Sequence, residues 1–192
     1  VTKADTVTAA ANRVRDEFGR LDVLVNNAAI SHTGKPGTSM EEMMEAGRSS
    51  TVPLDDVRTV FETNVFGVIA VTQAFLPLLK EAPAGRIVNV SSEVGSLTAN
   101  LNPDNPYRSV FSVTYGASKT ALNAVTVAFA IELESTNIKV NAVCPGYTAT
   151  DLNNHSGHRT VEEAAREPVR LALLGADGPT GTFSNEDGPL PW

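Results

Sequence analysis

The sequence has 192 residues, 42% of them hydrophobic, enough for one domain with a substantial core, and no shift in composition marks a second. A net charge of −7 argues against a surface built for nucleic acid or anionic lipid, and the single cysteine leaves no internal disulfide. The apolar stretches read as strand-sized or broken by polar residues, and the first five residues lack the basic and then apolar blocks of a secretory signal. A soluble cytoplasmic protein is expected, with neither nucleic acid nor membrane as partner.

Residues 2–18 carry Val7, Ala10, Ala11, Val14 and Phe18 at helical spacing, with Gly19 as a stop. Residues 21–25, closed by Asn26-Asn27, form the continuous apolar run of a parallel strand covered on both faces. Residues 30–52 mix Gly, Pro, Ser and Thr with Met40, Met43 and Met44, and read as a working loop with room for one helical turn. Pro53 opens a long helix to about Leu79, and Asn64 lies inside its apolar stripe.

Residues 86–90 are a second buried strand ending at Ser91-Ser92, followed by a Pro/Asn-rich insertion over 93–110. A helix is predicted over 111–134 and a third strand over 138–143, ended by Pro145-Gly146. Thr160 caps a helix reaching Leu174, with Glu163 at the capping-box position, and 180–185 is a weaker strand. This alternation predicts an α/β fold, a Rossmann-like doubly wound parallel sheet in a single domain.

Ligands of such sheets bind beyond the carboxyl ends of the strands, which points to Asn26-Asn27, Ser91-Ser92 and the segment from Pro145 to Thr150. Tyr115 and Lys119, four apart, share one helix face; an exposed i,i+4 pair is the bland alternative. At roughly 5 Å and an effective dielectric of about 20, an ammonium favours a phenolate by roughly 3 kcal/mol, enough to bring the Tyr115 pKa toward neutrality. Asn64 is either a core amide satisfied by a backbone carbonyl or the holder of a proton-relay water.

On these residues the sequence resembles the short-chain dehydrogenases/reductases along essentially its whole length. Val25-Asn26-Asn27-Ala28-Ala29-Ile30 resembles the Asn-Asn-Ala-Gly element, and Thr63-Asn64-Val65-Phe66-Gly67 the segment of the active-site asparagine. Ile87-Val88-Asn89-Val90-Ser91-Ser92 resembles the serine strand, residues 115–119 supply Tyr-x-x-x-Lys, and 140–146 with Thr148 and Thr150 resemble the segment holding the nicotinamide amide.

The resemblance implies a catalytic set of Ser92, Tyr115, Lys119 and Asn64: Ser92 polarises a substrate carbonyl, Tyr115 donates the proton, Lys119 binds the nicotinamide ribose and lowers the tyrosine pKa, and Asn64 holds the relay water. It implies cofactor contacts at Asn26, Ala28, Tyr115, Lys119, Pro145, Gly146, Thr148 and Thr150, with no metal. Ser92 is preferred to Ser91 because neighbours on a strand face opposite sides.

Ala29 in place of the element's glycine, and extra residues at 100–107, match the carbonyl-reductase-like branch. That branch implies NADP as cofactor, with NAD as the alternative, a small carbonyl or alcohol substrate, and a monomer rather than a dimer. Met40, Met43, Met44 and Tyr147 are candidates for an adaptable apolar substrate pocket. No glycine-rich turn follows a strand, and Val1-Thr2 resembles the end of a segment after the family's third strand. The expectation is a fragment that lacks its first three strands and, alone, binds the cofactor weakly. The alternatives are a non-catalytic Rossmann-like binding module and a serine hydrolase, which the missing Gly-x-Ser-x-Gly disfavours.

Overall fold

The first helix, α1 (Ala4–Phe18), stops where Gly19 takes the left-handed φ of 72° and donates its N–H to Arg15 O. That stop releases the chain into the first strand, β1 (Val23–Asn26). These elements come from a computed structural model describing residues 1–34 and 37–192, with the Met40 side chain outside the description.

The residue 30–52 segment holds a true helix, α2 (Met40–Ala46), whose start is fixed reciprocally: Ser39 Oγ accepts from Glu42 N, and Glu42 accepts from Ser39 N. The long helix predicted from Pro53 is interrupted. It runs as α3 (Leu54–Phe61), a π turn (Glu62–Phe66) and α4 (Gly67–Lys80), with Gly67 N–H reaching back to Glu62 O. A π turn inserts one residue into the helical repeat, a feature that periodicity cannot reveal. Contrary to the reading of the apolar runs, 27 residues from Leu54 to Lys80 are long and apolar enough to cross a membrane, at a mean hydropathy of 1.3. In the fold this stretch packs against α1, β1 and the helix that follows Tyr115.

The sheet continues through β2 (Arg86–Val90) and β3 (Lys139–Val143) to β4 (Phe183–Asn185), all parallel, in the order β1-β2-β3-β4-β5. The last strand, β5 (Gly188–Pro189), turns back antiparallel to β4 and has no signature in the sequence. Between β2 and β3 lie a 3₁₀ turn (Glu93–Gly95), a short helix α5 (Leu97–Leu101) and a long helix α6 (Tyr115–Glu132). Helix α7 (Val161–Ala172) connects β3 to β4, with Thr160 and Glu163 forming the predicted capping box.

Leu79, Ile87, Ala130, Leu133, Ile138 and Val140 fill the layer between the sheet and α4 and α6. Val88, Val143 and Leu171 fill the opposite layer under α7, so the sheet is doubly wound, as the alternation predicts. One expectation fails locally. Val25 on β1 is 43% exposed rather than covered on both faces, whereas the outer edge of β1, with no strand beside it among the described residues, agrees with the expected absence of the first three strands.

Arg86, at the start of β2, is buried although it carries a charge. Its guanidinium donates to the carbonyls of Leu174 and Gly175 just past α7, and to those of Gly85 and Asn137. Desolvation holds its pKa below the ordinary arginine value, and the negative end of α7 supplies part of the compensation.

Candidate active site

Register brings Asn26 opposite Asn89 and Val90 opposite Val143, so the carboxyl ends of β1, β2 and β3 open on one edge. The residue after β2 decides which serine is available. Ser91 is buried, its hydroxyl donating to Asn123 Oδ1 at 2.6 Å and directed at Lys119 O at 3.4 Å. Ser92 faces the other way, half-buried, accepting from Val94 N at 3.3 Å and sharing a hydrogen bond with the Tyr115 hydroxyl.

The first turns of α6 place Tyr115 and Lys119 on the same face, with Lys119 Nζ 5.5 Å from the tyrosine ring centre. The 3₁₀ turn after Ser92 packs directly on α6. A Cβ at Gly95 would lie 2.7 Å from the Lys119 carbonyl carbon, so only glycine permits that approach and the convergence that follows from it.

The electrostatics differ from the expectation. Burial pushes the Tyr115 hydroxyl up to about 12, with the neighbouring Cys144 adding to the rise and the Ser92 hydrogen bond opposing it. Burial likewise brings Lys119 down to about 8, and its ammonium donates to Val90 O at 2.8 Å. The anticipated fall toward neutrality therefore does not occur in this structure: desolvation of the phenolate dominates, and the hydrogen bond with Ser92 opposes it without reversing it. Cys144 is buried and within electrostatic reach of both, its thiol pKa raised first by burial.

Asn64 is buried in the π turn, and its side chain makes three hydrogen bonds. Its amide donates to Ile30 O at 2.8 Å and Ser118 Oγ at 3.0 Å, and its carbonyl accepts from Ile30 N at 2.9 Å. Both amide hydrogens are spent, so a relay water could bond this side chain only through the second lone pair of its oxygen. Ser118, which sequence reasoning passed over although it lies inside Tyr-x-x-x-Lys, donates in turn to Tyr115 O at 2.7 Å. Asn64 thus ties the loop after β1 to the first turn of α6. Asn64→Leu would strand the Ile30 N–H and C=O, and a loss of about 3 kcal/mol in urea unfolding is expected. Undiminished stability would refute this account.

Of the two residues expected to bind cofactor after β1, Asn26 is committed to the core. Its amide donates to Asn89 Oδ1 at 2.8 Å and Thr72 Oγ1 at 3.1 Å, and Asn89 passes the chain on to Thr126 at 2.9 Å. Ala28 is exposed at the strand's open end.

After β3, Gly146 takes a φ of 77°. Thr148 Oγ1 donates to Gly146 O at 3.1 Å, and Thr150 begins the 3₁₀ turn Asp151–Asn153. This loop borders a cavity of about 150 Å³ lined by Glu93, Tyr107, Tyr147, Arg159, Glu163 and Glu186 among others. Tyr147 thus faces charged groups, its hydroxyl 2.5 Å from Ser156 Oγ, rather than the expected apolar pocket. Met43 is half-buried and Met44 is 43% exposed on α2, while the Met40 side chain lies outside the described atoms. His155 pairs with Asp151 at 2.9 Å on the surface, and among the described residues no three metal-binding side chains cluster.

A serine just past the end of β2 faces a tyrosine on the first turn of α6, with a lysine one turn further on the same helix face, at the carboxyl end of a doubly wound parallel sheet. The sequence profile described as "short chain dehydrogenase" matches residues 1–160. Short-chain dehydrogenase anuI of Penicillium roqueforti (strain FM164) is 36% identical over 176 residues, covering 90% of this chain and 65% of its own length. The (−)-isopiperitenone reductase of Mentha piperita is 31% identical over 247 residues, covering 99% of this chain and 78% of its own. The NADPH-bound carbonyl reductase from chicken fatty liver has a TM-score of 0.75 at 27% identity, over 100% of this chain and 74% of that one. The chain belongs to the short-chain dehydrogenase family.

Proposed function

We propose that this chain supplies the catalytic centre of an NADP-dependent oxidoreductase that reduces a ketone or aldehyde to an alcohol, working as a monomer. The observation that carries the reading is the convergence of Ser92 and Lys119 on Tyr115 at the open end of β2. Ser92 would orient and polarise the carbonyl oxygen. Tyr115 would give that oxygen its proton. A phenol held at about 12 stays protonated at neutral pH and still yields its proton to the far more basic alkoxide, so its environment favours reduction over alcohol oxidation. Asn64 acts by position, holding the first turn of α6 through Ser118.

The residues present fit the nicotinamide-ribose end of a dinucleotide. Among the described residues Lys119 Nζ has one acceptor, Val90 O, which leaves two N–H groups for ribose hydroxyls. Pro145, Gly146, Thr148, Thr150 and Ala28 lie on the same sheet edge. The bound cofactor would supply the hydride. The choice of NADP over NAD rests on relatives such as the NADPH-bound chicken reductase. No glycine-rich turn for the diphosphate occurs in the 192 residues, so the chain expressed by itself is expected to bind NADPH weakly, with micromolar affinity by fluorescence titration as the contrary result.

That missing turn also favours a second reading, a non-catalytic binding module. The deciding experiment is oxidation of NADPH by the natural protein against a panel of ketones and aldehydes, with Tyr115→Phe in parallel. Turnover that Tyr115→Phe removes excludes the binding module. NADPH binding with no carbonyl reduced would sink the enzymatic reading.

A further inference from the structure

The chain leaves the loop after β3, makes an excursion through the Asp151–Asn153 turn, and returns at Arg159. The backbone of Arg159 closes the base of that excursion. Arg159 N donates to Tyr147 O at 3.1 Å, Ala149 N donates to Arg159 O at 2.9 Å, and Thr148 and Arg159 form a parallel bridge.

Its side chain joins three further elements. The stem lies against Gly146, where a Cβ would come within 2.6 Å of Arg159 Cδ. Nη2 donates to Glu163 O at 3.1 Å in the first turn of α7, and also to the Glu186 carboxylate between β4 and β5. The other oxygen of Glu186 accepts from Arg166 Nη1 of α7 at 2.9 Å. Arg159 therefore fixes the place of Gly146, a residue already in the left-handed region, against α7 and the β4–β5 hairpin together.

We infer that Arg159, clamped by Glu186, is a positioning residue that holds the Gly146–Thr150 loop ready for the nicotinamide end of the cofactor. This inference rests on the proposed reading of that loop as a cofactor site. Arg159 contacts none of Ser92, Tyr115 or Lys119 in the hydrogen-bond network described, so its effect falls on cofactor binding and not on the chemical step. A loop ordered in advance loses less freedom on binding, and that saving appears as affinity. Of the two cations on the shared carboxylate, Arg159 is the more sheltered, its side chain 24% exposed against 62% for Arg166.

The test uses the natural protein with Arg159→Met and Glu186→Gln, the second of which keeps the arginine stem on Gly146. Hydrogen exchange without cofactor should quicken at amides 146–159 in both variants and stay unchanged in β2 and α6. The KM for NADPH should rise about tenfold while kcat stays within about twofold, the pattern of lost ground-state binding. Unchanged loop exchange overturns the inference, as does quickened exchange with an unchanged KM in an active parent protein; the cofactor reading survives both. A parent that neither binds nor oxidises NADPH overturns that reading, and the inference with it.

Discussion

Tyr115→Phe is expected to lower the rate of carbonyl reduction by about 10²- to 10⁴-fold, the range that a positioned general acid contributes, with little change in KM. The phenol is the proton donor in the proposed mechanism, and the variant keeps the ring in place over Lys119. Losing the hydroxyl removes one hydrogen bond with Ser92, about 1 kcal/mol, so the fold survives and the loss of rate can be read as chemistry. Steady-state kinetics on any carbonyl that the natural protein reduces provides the check. A variant retaining more than about a tenth of the parent kcat would assign the proton to another group. The pH dependence adds a second signature. Tyr115, held at about 12, keeps its proton across the neutral range, while Lys119 loses its own as pH rises through about 8, so reductive activity should fall on that limb.

Lys119→Met should raise stability while removing activity. Lys119 is 2% exposed, and among the described residues its ammonium has a single carbonyl acceptor. A pKa brought from 10.5 to about 8 corresponds to about 3 kcal/mol of destabilisation at pH 7. The sign follows from the depressed value. The charged form is disfavoured in the folded state, so the cost is fully present below about 8 and is relieved as pH rises from there toward 10.5. Methionine fills a similar volume without the charge, and the stranded Val90 carbonyl takes back about 1 kcal/mol. The net gain of about 2 kcal/mol would raise Tm by roughly 4–8 °C for a chain of this size. Thermal unfolding at pH 7 and pH 10 checks both halves: the advantage of the variant should shrink at the higher pH. A variant less stable than the parent at pH 7 would mean that the lysine carries compensation beyond Val90. The result would mark Lys119 as a residue kept for chemistry at the expense of the fold.

Much of the architecture was legible because it depends on short-range pattern. The runs at 86–90 and 138–143, the stop at Gly19 and the Thr160/Glu163 cap each involve a few adjacent residues whose chemistry fixes the backbone. The π turn at Glu62–Phe66 was not legible, since its residues satisfy ordinary helical periodicity and its register shift belongs to the backbone. The strand Gly188–Pro189 was missed because two residues carry no alternation and form a strand only by pairing with β4. The exposure of Val25 depends on what lies beside β1, which the composition of the strand does not encode.

The site divides in the same way. By itself the sequence singled out the candidate groups, because a serine at a strand end and two side chains four apart on a helix are local patterns; their proposed roles come from the family resemblance. Tertiary structure alone decided how those groups behave. It buried Ser91 and left Ser92 available, spent the Asn64 amide on Ile30 and Ser118, and set Arg159 against Gly146. It also raised Tyr115 and lowered Lys119, reversing the expected electrostatics. The physical reason is range: helical spacing acts over one turn, whereas desolvation and hydrogen-bond satisfaction depend on every element packed around a group.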